Sequence, residues 1–238
     1  MTARRPLTAL ALAAVSALAL AGCSSASAAP DGGSATATGP ADGLRVAVIG
    51  DSIAAGLGVE DGEAWPDLLA AENGWRLSNL SSSGAGFVAT DGDGDDFGPQ
   101  VTAAIAADAQ LVLVGASDND LGADDADARQ ATADAVQQLR EGLPHAQIVG
   151  YGALTGEATD EQLADVDQAL RDAVTAAGGV WLDLGQPYRS QEGLVQDDGE
   201  HPTAAGQRAI AMAVRSALAA AGVTVTTTTG TASSTPSP

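Results

Sequence analysis

Apolar residues between positions 44 and 222 fall into two alternating patterns. Short apolar runs at 44–50 (LRVAVIG), 76–80 (RLSNL), 111–115 (LVLVG), 147–151 (QIVGY) and 180–184 (VWLDL) predict strands, most of them buried on both faces. Between and after them, 62–72, 98–107, 126–141, 160–177 and 203–221 predict helices. In the fourth helix Leu163, Val166, Leu170 and Val174 recur at spacings of three and four, which sets one apolar stripe toward a sheet. Five strands, each followed by a helix, predict an α/β fold: a three-layer α/β/α sandwich around a parallel five-stranded sheet. Neither a repeat nor a Pro-rich break divides the span, so 44–222 is expected to be one domain. In such folds the crevice lies outside the carboxyl ends of the strands.

The two ends follow other patterns. Residues 1–22 place Arg4 and Arg5 before an apolar stretch too short for a comfortable membrane span, the layout of an export signal. Leu20-Ala21-Gly22-Cys23 resembles the lipobox of bacterial lipoproteins, which implies cleavage before Cys23 and lipid on its thiol. Residues 23–43 are rich in Ser, Ala, Gly and Pro without apolar periodicity, as a flexible linker is. Residues 223–238 end in Ser, Thr and Pro, and are expected to begin as a short edge strand and finish disordered. The expected location is the extracellular face of a bacterial cell membrane, with a lipid anchor at Cys23.

Composition then removes whole classes of function. All ten basic residues are Arg, against 31 acids, for a net charge of -21. Without Lys there is no Walker A loop and no Schiff-base or pyridoxal-phosphate chemistry. Without clustered cations, nucleic acid is not an expected partner. Two His and one Cys leave almost nothing for a zinc site, and no metal site is expected. Removing the signal deletes two Arg and no acid, and a surface that acidic disfavours self-association; a monomer is expected.

Four segments carry candidate chemistry, all placed after predicted strands. The first strand runs into Gly50-Asp51-Ser52, where Ser52 would present a nucleophilic hydroxyl beside free backbone N–H groups; the same triplet also makes an ordinary capped turn. Before the last helix stands Asp198-Gly199-Glu200-His201-Pro202-Thr203. An Asp three residues ahead of a His can bend back to one ring nitrogen and leave the other free to take a proton from Ser52. The bland reading makes Pro202 or Thr203 a helix start and His201 a surface residue. His145, the second histidine, lies in an exposed-looking connection, so a histidine base would be His201. Asn79–Gly86 and Gly115–Asp120 follow the second and third strands; their Gly permits close approach of backbone to substrate and an Asn amide can donate to an oxyanion.

Together, GDSIAAG, Ser-Gly-x-Gly, Gly-x-x-x-Asn-Asp and Asp-x-x-His-Pro-Thr-x-x-Gly resemble the ordered blocks of the SGNH hydrolases, the GDSL-type esterases and lipases. The resemblance implies a flavodoxin-like sandwich with Ser52 as nucleophile, His201 as base and Asp198 orienting it. It also implies an oxyanion hole from the N–H groups of Ser52 and Gly84 and the side chain of an Asn. The third block departs from the family pattern: alignment without insertion selects Ser117, and matching Asn-Asp itself selects Asn119. The amide of Asn119 is the better donor and is preferred. The implied reaction is hydrolysis of carboxylic esters through an acyl-enzyme on Ser52, with no cofactor and with a small-molecule or glycan ester as substrate. Few aromatics and no evident apolar lid favour short acyl or acetyl groups. A free imidazole titrates near about 6.5, so activity is expected to fall on acidification.

Two rivals use the same scaffold. One is a catalytically silent cell-surface binding module, which would have no need of the full Ser52, Asp198 and His201 set. The other is a nucleotide or flavin protein, disfavoured by the missing phosphate loop. The acidic run Asp91–Asp96 invites a calcium reading, but Asp96 stands where an EF-hand needs Gly and Thr102 where it needs Glu, which favours a solvated loop. Trp65 and Trp75 are expected to pack the first helix against the sheet or to edge a substrate pocket.

Overall fold

A computed structural model describes residues 37–226. The signal segment, Cys23, most of the linker and the last part of the tail therefore lie outside the described residues. The elements run β1 Arg45–Ile49, α1 Ser52–Ala55, α2 Trp65–Asn73, β2 Arg76–Asn79, α3 Gly98–Ala106, β3 Leu111–Gly115, α4 Asp125–Gly142, β4 Gln147–Tyr151, α5 Asp160–Ala176, β5 Val180–Leu182 and α6 Ala204–Ala220. A 3-10 turn at Asp118–Asp120 follows β3. The strands are all parallel, in the order β2-β1-β3-β4-β5. This is the expected three-layer sandwich, and its order is the flavodoxin-like one, with the chain reversing direction across the sheet between β1 and β3.

Each face of the sheet has its own core. Val46, Val48, Leu111 and Leu113 pack with Trp65, Leu69, Ile210 and Val214 beneath α2 and α6. Ala47, Ile49, Val112 and Val114 pack on the opposite face with Val101, Leu139, Leu163 and Leu170 from α3, α4 and α5. Every residue of β3 is buried, which explains its unbroken apolar run. Trp65 and Trp75 are fully buried in the first core, each contributing on the order of 2 kcal/mol or more by its burial, and Trp65 also lines a small cavity of about 10 Å³ with Asp51, Tyr151 and Leu154.

Several boundaries differ from the sequence reading for identifiable reasons. Helix α2 starts at Trp65 rather than at 62, because Gly62 has φ +84° and Ala64 is extended, while Pro66 suits only a first turn. Strand β5 stops at Leu182 rather than 184; Gly185 turns with φ +58° and the Gln186 amide ties back to Thr155 N and Ala153 O. The four-residue α1 begins at Ser52, outside the five longer predicted helices. Residues 223–226 form no strand, and Val223 is buried while the indole N–H of Trp75 donates to Val225 O at 2.6 Å. At the other end Thr38 pairs with Leu77 through two backbone bonds of 2.8 Å, so the last linker residues cover the exposed edge of β2.

Candidate active site

The nucleophile candidate is placed by a cap. Asp51 is extended at the end of β1, and its Oδ1 accepts from Ile53 N at 3.0 Å, which starts α1 with Ser52 as its first residue. Two buried amides hold this corner from distant helices. Gln100 of α3 exchanges two 3.0 Å bonds with the backbone of Gly50, and Gln207 of α6 donates to Ile53 O and accepts from Trp65 N.

The Asp198–His201 turn faces Ser52 from the loop before α6. His201 Nε2 stands 3.0 Å from Ser52 Oγ, and its Nδ1 stands 2.7 Å from Asp198 Oδ2. With Nδ1–H donating to the carboxylate, Nε2 is left as the acceptor that faces the hydroxyl. Asp198 Oδ1 also accepts from the backbone N–H groups of Glu200 and His201, both at 3.0 Å. These bonds, the His201 side chain first, hold the Asp198 carboxyl down at about 2, so it stays ionised under ordinary conditions. The His201 side chain is 18% exposed and Asp198 48% exposed, which puts the ring in the crevice and its partner at the rim. Gln196 clamps the turn: its N–H donates to His201 O, and its amide donates to Leu57 O and Pro202 O.

The loops after β2 and β3 close the other side. Gly84 has φ +88°, a conformation that side chains resist. Among the described residues neither Ser52 N–H nor Gly84 N–H has an intramolecular acceptor. The amide of the exposed Asn119 donates to Ala85 O at 3.0 Å, beside Gly84. Ser117 is fully buried beneath the crevice: its hydroxyl stands 2.7 Å from Asp51 Oδ2, to which it donates, and 3.2 Å from the same Ala85 O. Burial pushes the Asp51 carboxyl up to about 7 despite that bond. Asp120 fixes the loop, accepting at 2.8–2.9 Å from the N–H groups of Phe87, Val88 and Ala89. Thus Ser52, His201 and Asp198 are joined in one chain of contacts, with Gly84 and Asn119 adjacent to each other on the neighbouring strand ends.

The GDSL-like lipase/acylhydrolase family matches the sequence over residues 48–209, a span that begins in β1 and ends in α6. The chain belongs to this family. The hydrolase, an enzyme of carboxylic esters, shares its fold with TesA (22% identity, 73% of this chain and 97% of that one, TM-score 0.58). It is also similar to a carbohydrate esterase family 2 enzyme with its carbohydrate-binding domain from Corynascus thermopiles (Myceliophthora fergusii), at 20% identity over 78% of this chain and 68% of that one, TM-score 0.59. A third likeness is to the psychrotrophic esterase EstA from Pseudoalteromonas sp., at 15% identity over 74% and 97%, TM-score 0.60. No curated protein sequence matches the chain.

Sequence reasoning missed the residues that hold this hydrolase's site together. Gln100, Gln207, Gln196, Thr155 and Glu200 meet partners that are in most cases tens of positions away, and no local spacing announces them. The acidic run does not gather into a cation site: Asp91 accepts from Ser82 Oγ and from the N–H groups of Asp93 and Asp95. Among the described residues no group of three or more ligand-type side chains is arranged for a metal. His145 is exposed at the amino end of β4 and lines a separate cavity of about 690 Å³.

Proposed function

We propose that the chain hydrolyses short-chain carboxylic esters through an acyl-enzyme on Ser52. The observation that carries this reading is the unbroken contact chain Ser52 Oγ, His201 Nε2, His201 Nδ1, Asp198 Oδ2, at 3.0 and 2.7 Å. Ser52 Oγ attacks the ester carbonyl carbon as His201 Nε2 takes the hydroxyl proton. The ionised Asp198 stabilises the imidazolium and keeps the ring oriented. The tetrahedral oxyanion is met by the N–H groups of Ser52 and Gly84 and by the Asn119 amide, all held before substrate arrives. Collapse expels the alcohol, which takes the proton from His201, and leaves the acyl-enzyme. Water then attacks the acyl carbon while His201 takes its proton, and returning that proton to Ser52 Oγ frees the acid.

Small acyl groups on a polar carrier suit this crevice. Ser52 stands partly exposed at a strand end, and two cavities of about 380 and 690 Å³ elsewhere in the fold are lined neither by Ser52 nor by His201. They offer no tunnel for a long acyl chain at the nucleophile. The fold likeness to a carbohydrate esterase favours an acylated glycan as the carrier. Export with lipid at Cys23 would hold the enzyme, as a monomer, at the outer face of the cell membrane.

Hydrolysis of p-nitrophenyl acetate and butyrate by the purified protein, beside Ser52→Ala, tests the reading. Turnover of acetate at or above the rate of butyrate, lost in Ser52→Ala, is the expected result. A folded protein that turns over neither ester and resists a fluorophosphonate probe overturns it.

A further inference from the structure

Glu200 sits inside the catalytic turn, between Asp198 and His201, and all of its polar atoms but one are engaged. Its N–H donates to Asp198 Oδ1 at 3.0 Å, and its carbonyl accepts from Tyr188 OH at 3.0 Å. Its side chain turns inward rather than to solvent. Oε2 accepts from Thr155 Oγ at 2.9 Å and from Glu157 N at 3.1 Å, both in the connection after β4. That connection approaches so closely that a Cβ on Gly156 would lie 2.2 Å from Gly199 O. The remaining oxygen, Oε1, is fully buried and has no donor. Among the charged groups around it, Asp118 in the 3-10 turn after β3 acts on its carboxyl most strongly and raises it.

A buried carboxylate oxygen without a donor is costly, and two neighbouring half-buried carboxyls disfavour being ionised together. One proton resolves both problems if Oε1 carries it and donates to Asp118. We infer that Glu200 is a protonated positioning residue, whose Oε1–H bridges to Asp118 while Oε2 accepts from Thr155 and Glu157. The bridge latches the turn that carries Asp198 and His201 to the ends of β3 and β4.

Electrostatics points the same way. Both carboxyls are raised above their ordinary values, each mainly by burial. The charged and titratable groups around the pair are Asp51 at the start of α1, Asp198 and His201 in the turn, Glu157 after β4, and Tyr188 and Arg189 after β5. Arg189 is paired with Asp160, so it does not neutralise a second negative charge on the pair. Because the shifts are upward, the latch is complete at low pH. It opens as pH rises past the raised carboxyl range, when two like charges face each other across it.

The inference rests on the serine-esterase reading for its kinetic consequence alone, so two readouts are needed. In Ser52→Ala protein labelled with 13C at Glu carboxyls, with the resonance assigned through Glu200→Gln, Glu200 should stay protonated at a pH where exposed glutamates have ionised. Titration together with the exposed glutamates overturns the inference. In the active enzyme, Glu200→Ala should lower kcat on p-nitrophenyl acetate by about ten- to a hundredfold, with a smaller change in KM. Glu200→Gln, whose amide donates where Oε1–H did, should recover most of that rate and lose the parent's decline at high pH. A Gln variant no better than Ala, or one with the parent's alkaline profile, also overturns it. Should the parent turn over no ester, the esterase reading fails while the titration still decides the protonated pair.

Discussion

The two ends of the sheet carry one histidine each and differ in everything else. At the amino end, His145 lies exposed on the wall of a cavity of about 690 Å³, near the Arg45–Asp108 ion pair. At the carboxyl end, His201 stands in an open crevice with both ring nitrogens engaged and the carboxyls of Asp51, Asp118 and Glu200 wholly or largely withdrawn from water around it. Volume therefore does not mark the site; organised polarity does. The reason is topological: at the β1/β3 switch point the connections leave the sheet in opposite directions, and their first turns face each other across a gap.

The sharpest way to break this contrast is to remove each histidine. His201→Ala or Ser52→Ala should lower kcat by about 10³–10⁶-fold, while His145→Ala should leave it unchanged, measured on p-nitrophenyl acetate. Asp198→Asn should cost about 10²–10⁴-fold, since the ring loses its orienting acceptor but the nucleophile and base remain. Asn119→Ala should lower kcat by about ten- to a thousandfold with little change in KM. Ser117→Ala, by contrast, should act on the ionisation of Asp51 rather than on the oxyanion. Equal kcat losses in these two variants would reassign the hole. Gly84→Ala should cost about 1–2 kcal/mol of stability through its left-handed backbone and also lower kcat by moving the N–H.

A further contrast concerns pH and stability, and leaves kcat aside. Asp51 binds its proton up to about 7 in the folded chain, against an ordinary 3.8, so between those values the native state holds a proton the unfolded chain has lost. Stability should fall as pH rises through that window, and Asp51→Asn should flatten the decline in thermal midpoint. A midpoint that rises from pH 4 to 7 in the parent would contradict the burial of this carboxyl. Asp198 works in the opposite sense, its stabilisation lost only as pH falls from 3.8 toward about 2, and its exposure keeps that contribution small.

Much of this was written locally in the chain. The unbroken apolar run of β3 and the stripe of α5 announced their burial, because period and burial are consequences of one geometry. Ser52, Asp198 and His201 were legible because each stands next to a strand end or a helix start, and Asp198 reaches His201 within a single turn. Element edges were less legible: Gly62, Ala64 and Gly185 take conformations that composition alone does not dictate.

What only the tertiary structure decided is which polar side chain reaches which. Asn119 and Ser117 differ by two positions in sequence and both reach Ala85 O, yet one is exposed in the 3-10 turn and the other is sealed beneath it against Asp51. Gln100 and Gln207 lie 50 and 154 positions from the backbone they hold, and Glu200 lies 45 from Thr155. The sequence by itself determined the layers, the strand count and the residues with reactive groups, since these follow from local periodicity and chemistry. Their pairing and protonation depended on burial, and burial exists only once distant segments have packed.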